Sequence, residues 1–462
     1  MSIWGWRDRA INMPADTITR QIALAASALA YGDIPTPVLD KAKRLIADTL
    51  IVAAAGRSQA TSVAMGRAVA PSSGQSRVWF ADRQQTWSAM DATFFNTLHA
   101  AALDYDSLNG AVHADLVTLP AAWAMAEQYE CSPRELIRAY VIASETVSRL
   151  ARCATGISKG WSGTSIYGPI GAALASGLLM GLDVPRLTHA LGLAASQAAG
   201  TQQANIEQTL TKRLQPALAA RSGVFAALLA EAGATGPGQA LEGKFGMRAL
   251  YQPGDDQNVL AGWGHDWQLL DTAVKGFPVC ACSHAGIQAL LDLRARVGFS
   301  ADQVEQVVGI ISPFMHRLVG GDFTVQGDLQ VVAQFNLRYH LASVLLRGPI
   351  SLNDLQPDRL LDDQIKAMIP RIHLQIDVEN RHELAPASIR VTLKTGQVYE
   401  QICRALPGSP ESPLSAEQWR AKARACAALA EPSIEQARLA RFIASLERLE
   451  DLPTIETLWS DV

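Results

Sequence analysis

Two runs of small residues, G-P-I-G-A-A-L-A-S-G from Gly168 and L-G-L-A-A-S-Q-A-A-G from Leu191, constrain the fold more than any other feature. Glycine and serine lower helix propensity, so segments this rich in them stay helical only where burial offsets the cost. Small side chains at helical spacing let backbones approach closely, as a central helix in a layered bundle requires. The surrounding chain agrees, because the dominant period from about residue 17 to 268 is helical. Thr36-Pro37 reads as an N-cap and N1 pair opening one helix. Ser88-Ala-Met-Asp91 and Ser132-Pro-Arg-Glu135 are capping-box patterns that open two more.

The texture changes after residue 269. Residues 304–312, 371–377 and 388–401 alternate apolar and polar residues or carry β-branched runs, and Lys394-Thr-Gly396 reads as a hairpin turn. Residues 337–346 between them read as helix. Leu406-Pro-Gly-Ser-Pro-Glu-Ser-Pro413 is turn-rich, and 415–430 and 433–449 return to helix. The predicted architecture is therefore mainly α. A large all-helical domain is formed by both chain ends, residues 1–268 and 407–462, with a smaller α+β lid domain, 269–406, inserted between them. The cleft between the two is the expected ligand site.

Composition narrows the function. The 462 residues carry a formal net charge of −4 and are 48% hydrophobic, enough for a large core. There is no basic patch for phosphates, so nucleic acid is not an expected partner. The first ten residues lack an apolar signal-peptide stretch. The longest apolar run, Ile166 to Leu182, contains Pro169 and stops at Asp183, short of the roughly 20 residues of a membrane span. A buried helix is expected instead. Six scattered cysteines suit a reducing cytoplasm rather than a disulfide framework.

Chemistry concentrates in Val274-Lys-Gly-Phe-Pro-Val-Cys-Ala-Cys-Ser-His284. Gly276 and Pro278 shape a loop that can aim Lys275 and His284 at one point, where a desolvated amine beside an imidazole makes an acid/base pair. Taken alone, this string reads better as a surface lysine next to a turn. Cys280 and Cys282 lack a second pair at zinc spacing and read as small buried hydrophobes. Asp104, Asp106 and His113 follow an apolar helix, and Asp104 with His113 can form a carboxylate-oriented imidazole; a solvated capping loop is the plain alternative. The segment around Ser162 opens the small-residue helix, whose free N–H groups favour a carboxylate, although an ordinary helix start would look the same. Lys212, Arg213 and Arg221 sit at or near a helix N-terminus, against the dipole, and suggest an anionic ligand; simple solvation would also explain them. Arg338 and Tyr339 sit on a helix that can face the cleft or solvent.

Together these stretches resemble the MmgE/PrpD family, whose members include 2-methylcitrate dehydratase, cis-aconitate decarboxylase and iminodisuccinate epimerase. The motifs are L-D-Y-D with a following histidine, the small-residue helix, T-K-R-L-x-x-x-x-A-A-R-S-G with E-G-K-F-G, V-K-G-F-P-x-C-x-C-S-H and A-Q-F-N-L-R-Y, and they span nearly the whole chain. The resemblance implies a site between a helical domain and a lid, a homodimer, and neither cofactor nor metal. It carries a catalytic role to Asp104, His113, Lys275 and His284. It gives Lys212 and Tyr339 a place in the site, and with Ser162 and Arg338 these are expected to bind a small anionic di- or tricarboxylate. The chain departs from the family pattern where Leu108 replaces a threonine and Ser162 a histidine. Dehydration and decarboxylation lean on an extra acid, so the expected reaction is epimerisation at a carbon next to a carboxylate, similar to iminodisuccinate epimerase. The alternatives are a dehydratase of 2-methylcitrate type, a cis-aconitate decarboxylase-like lyase, or a relative that has lost catalysis.

Overall fold

The structure is a computed structural model that describes residues 16–461 except 71, 83, 156–159 and 326–327; the leader reading of residues 1–10 lies outside them. The first small-residue run behaves as its composition demands. It lies in the helix Gly163–Leu179, whose residues are almost all buried. The helices Ala114–Gln128, Pro133–Arg152, Val184–Ala195 and Thr211–Glu231 pack around it. A methyl group at Gly223 would meet Ala172 Cβ and the Pro169 carbonyl at 2.5 Å, so hydrogen at that Cα sets how closely the two helices approach. The second run is helical only to Ala195. The chain turns at Ser196–Gln197, and Gly200 farther on takes φ +133°, outside the helical region. No helix among the described residues is long and apolar enough to cross a membrane.

The helix starts follow local chemistry. Ser88 accepts from the Asp91 N–H, and Ser132 and Glu135 form a reciprocal capping box. The helix at Thr36 begins one residue earlier in register than expected, with Pro35 as cap and Pro37 in the first turn.

The alternating segments form one four-stranded sheet: β1 (Val304–Ile311), β2 (Ile372–Ile376), β3 (Ala387–Leu393) and β4 (Val398–Cys403), in the order β2-β1-β3-β4. β1 pairs parallel with β2, Val307 opposite Ile372, and antiparallel with β3, Val307 opposite Val391. Ala387, Ile389, Val391 and Leu393 point alternately inward, towards the helices His284–Val297 and Leu337–Arg347 that cover the sheet. The period-2 pattern on β3 thus reflects one covered face.

The last helices return to the N-terminal body. Asp48 on the Thr36–Arg57 helix accepts from Trp419 Nε1 at 3.1 Å and Lys422 Nζ at 2.8 Å, both on the helix Ala416–Leu429. Lys43 pairs with Glu450 at 2.7 Å. Lys422 also donates to the Tyr105 carbonyl at 2.9 Å, tying the chain end to the segment that carries the candidate site.

Candidate active site

The site begins where the helix Ala89–Ala101 stops. Three residues on, Asp104 adopts φ +51°, a left-handed conformation that aspartate tolerates better than most side chains. This turn leaves its carboxylate buried between two ammonium groups. Lys275 Nζ donates to Asp104 Oδ2 at 2.9 Å and to its carbonyl at 2.7 Å, and Lys212 Nζ donates to Oδ1. Lys212 lies near the start of the Thr211–Glu231 helix, with its ammonium 5.0 Å from the centre of the Phe335 ring.

Electrostatics reverse one expectation. Burial by itself would strip the proton from Lys275. The Asp104 and Asp106 carboxylates outweigh it and hold the ammonium above its ordinary range. Burial likewise opposes the charge on Asp104, yet Lys212 and Lys275 hold its carboxyl far below the usual carboxylate range. The cluster is thus a carboxylate bridging two ammoniums, with one positive charge in excess.

His113 is placed by its neighbours. Its N–H donates to Thr164 Oγ1 at 2.9 Å. Its ring Nδ1 meets the Ser107 carbonyl at 3.0 Å and Asp106 Oδ2 at 2.6 Å. Both partners are acceptors, so Nδ1 carries the hydrogen. It is aligned on the carbonyl, while Asp106 acts as an adjacent charge. Burial opposes that charge, but His113 holds the Asp106 carboxyl below its ordinary value. Nε2 is left to serve the cavity. Beneath lies Asp115, which accepts from Ser107 Oγ at 2.5 Å and Tyr140 Oη at 2.7 Å, fixing the turn. The carboxylate beside His113 is therefore Asp106, not Asp104 as expected. The cue was available in the D-x-D spacing, but the reversal at Asp104 that aims each carboxylate was not.

Three other expectations are corrected. His284 is fully buried and does not line the cavity. Its Nε2 faces the Val279 carbonyl at 3.2 Å and its ring packs edge-on against Phe277, 5.2 Å between centroids. Burial, with the nearby Lys275 charge, pushes this imidazole down to about 3, so it stays neutral, and no Lys275–His284 acid/base pair faces substrate. Tyr339 is also buried and donates to the Asp354 carbonyl at 2.5 Å. Arg338 donates to the Gly320 and Gly321 carbonyls at 2.7 Å each. Both hold loops of the α+β block. Nearby, Arg213 is buried and donates to Gln334 at 2.6 Å, and Arg221 pairs with Asp91 at 3.3 Å; neither lines the cavity.

Asp104, His113, Ser162, Lys212 and Lys275 line one cavity of about 840 Å³ between the helical body and the α+β block. Ser162 Oγ accepts from Ser165 Oγ at 3.0 Å. Leu108 presents an apolar wall, its backbone bridged to Ala273. Arg317 and Arg381 of the α+β block face the same space, a contribution that the sequence did not single out. The described lining contains five lysines and arginines against two carboxylates, Asp104 and Glu383, which suits an anionic ligand. Among the described residues no cluster of three or more His, Cys, Asp or Glu side chains could hold a metal ion.

A mainly helical body and a small sheet-bearing block, with a cationic cavity between them, define a two-part protein. The chain matches the MmgE/PrpD N-terminal domain over residues 20–260 and the MmgE/PrpD C-terminal domain over residues 277–448. It belongs to the MmgE/PrpD family. It is 26% identical to a cis-aconitate decarboxylase-like protein, oryM, of Aspergillus oryzae, covering 97% of this chain and 98% of that one. It is 27% identical to the cis-aconitate decarboxylase of Homo sapiens over 96% of this chain and 95% of that protein. A cis-aconitate decarboxylase of Aspergillus terreus is 28% identical over 60% of each. These relatives favour the decarboxylase alternative over the epimerase.

Proposed function

We propose that the chain is a carbon–carbon lyase that releases CO2 from a small tricarboxylate of the cis-aconitate type. The observation that carries this reading is the pairing of His113 over Asp106 with the Lys212–Asp104–Lys275 cluster on one cavity. The ammonium of Lys212, whose side chain is 19% exposed, is available to a substrate carboxylate, and the charge of Lys275 reinforces it from beneath. In the reaction the bond to the departing carboxylate breaks and its electron pair forms a new double bond. The displaced alkene pair takes a proton from His113 Nε2, and CO2 leaves. Asp106 offsets the charge on the imidazolium before transfer, while the two lysines stabilise negative charge as it moves.

In this reading the 269–406 block is a lid over the helical body, and the active form is a homodimer. The epimerase reading has less support. Its second acid/base couple needed His284 at the cavity, and the burial of that ring removes it. The test is proton NMR of the purified protein with cis-aconitate in D2O. New vinylidene protons on a five-carbon product, with CO2 released, are expected. Hydration of the alkene without CO2, or deuterium exchange with stereochemical inversion in iminodisuccinate, would replace this reading by the dehydratase or the epimerase.

A further inference from the structure

The mechanism above makes no use of the thiols at the cavity. Cys280 and Cys282 both line it, and the other four cysteines do not. The Cys280 N–H donates to the Gln334 carbonyl at 2.9 Å, which fixes the residue. It precedes the turn Ala281–Ser283, which runs straight into the helix His284–Val297. The environment is that of a reactive thiol rather than an inert one. The neighbouring Cys282 side chain, with the Lys275 ammonium, holds the Cys280 thiol below its ordinary range against burial and the Asp104 charge. Burial pushes the thiols of Cys131 and Cys403 up to about 11 and that of Cys426 up to about 12. Around Cys280 the described lining has an excess of cations, which raises the local concentration of any small anion.

We propose that Cys280 is a reactive cysteine and a covalent-modification site for small anionic electrophiles, with conjugated carboxylates as the chemical class it takes. The sulfur lone pair forms an S–C bond to the β-carbon of the unsaturated carboxylate. The alkene pair moves to the α-carbon, which takes a proton from water, and nothing leaves. The adduct fills volume that a substrate would occupy and blocks the cavity. This goes beyond the lyase reading and does not depend on it, because it needs only the cavity, its charge and the thiol.

The test labels the full chain with iodoacetate and with iodoacetamide, locating modified cysteines by peptide mass spectrometry and scaling each rate to that reagent's rate with glutathione. Displacement of iodide forms the same S–C bond. Cys280 is expected to be modified first, with the scaled iodoacetate rate at least about tenfold the iodoacetamide rate, the advantage that charge focusing gives. Tricarballylate is expected to slow it, Cys280→Ser to abolish it, and Cys282→Ser to leave label at residue 280. Incubation with maleate is expected to add the mass of one maleic acid at Cys280. First labelling at another cysteine, or no preference for the anionic reagent, would overturn the assignment. Iodoacetate labelling without a maleate adduct would overturn the ligand class. All readouts are masses and rates of labelling, so they stand even if the protein releases no CO2.

Discussion

Replacing Asp104 by asparagine tests the charge arrangement at the centre of the site. Asparagine keeps the size of the side chain and tolerates the left-handed backbone at this position, so the change removes charge and little else. Lys275, only 1% exposed, then loses its main compensating carboxylate. Breaking a buried ion pair by removing one partner costs about 3–5 kcal/mol. Asparagine Oδ1 and the residue 104 carbonyl still accept hydrogen bonds, which places the cost at the lower end. Unfolding entropy of about 2.1 cal/mol/K per residue over 462 residues amounts to about 1 kcal/mol/K, so Tm should fall by about 3 °C at pH 7.

The pH dependence supplies the sharper sign. In the natural protein the folded pKa of Lys275 is raised, so its contribution is complete below about 10.5 and is lost as pH climbs through the folded value. Asp104 is depressed, so its contribution is complete above about 3.8 and is lost only in acid. With asparagine at 104, burial dominates at Lys275 and its folded pKa drops below the unfolded one. The variant should then regain stability relative to the natural protein between pH 7 and pH 10, as Lys275 gives up its proton. The double variant Asp104→Asn with Lys275→Met should recover most of the loss, since a buried pair replaced by an apolar residue of similar volume is often neutral. Melting curves across this pH range provide the assay. A single variant that melts within about 1 °C of the natural protein and tracks it with pH would refute the buried pair.

Three other outcomes follow from the same geometry. Replacing His113 by asparagine should lower kcat for CO2 release by about 10²–10⁴ with little change in melting; retained kcat would exclude His113 as proton donor. Tyr339→Phe should cost about 1–3 kcal/mol by leaving the buried Asp354 carbonyl unpaired, without raising KM; a raised KM with unchanged stability would restore the substrate-binding role expected from the sequence. His99, His284 and His340 are pushed down to about 3, 3 and 4 by burial, so the unfolded chain binds more protons below its ordinary value of about 6.5. Stability should therefore fall as pH drops from 6.5 towards those values, by up to about 1.4 kcal/mol per pH unit for each group, and His284→Gln should remove about a third of that slope in denaturant titrations at pH 7 and 5. A midpoint that is flat over this interval would show that these rings are hydrated.

The parts of the fold legible in the sequence were those that one physical requirement specifies. The Gly163–Leu179 helix must be buried to offset its small residues, and alternation on β3 follows from a sheet covered on one face. That Asp104, His113, Lys212 and Lys275 belong to one cavity was also legible, for Lys212 chiefly through the family resemblance. Their pairing was not. It depends on a single left-handed residue at Asp104 that aims that carboxylate at the lysines and leaves Asp106 for His113, and sequence spacing does not encode that reversal. For His284 a signal existed. It opens an apolar helix with Ile287 three residues on, both on the buried face, so helical periodicity already pointed the ring at the core.

This separation of Lys275 from His284 bears on the chemistry. The Gly-Phe-Pro turn sends the lysine to the cavity and the histidine to the core, so the loop delivers a charge rather than an acid/base couple. An ammonium held protonated by Asp104 does not act as a base at neutral pH, and in the proposed reaction it stabilises negative charge on a bound carboxylate. In the proposed reaction His113 is then the group, of those expected to be catalytic, that moves a proton at carbon. A site with one such group beside a fixed positive cluster suits a reaction that gives the substrate one proton as CO2 departs, more than one that must remove a proton from one face and return it to the other.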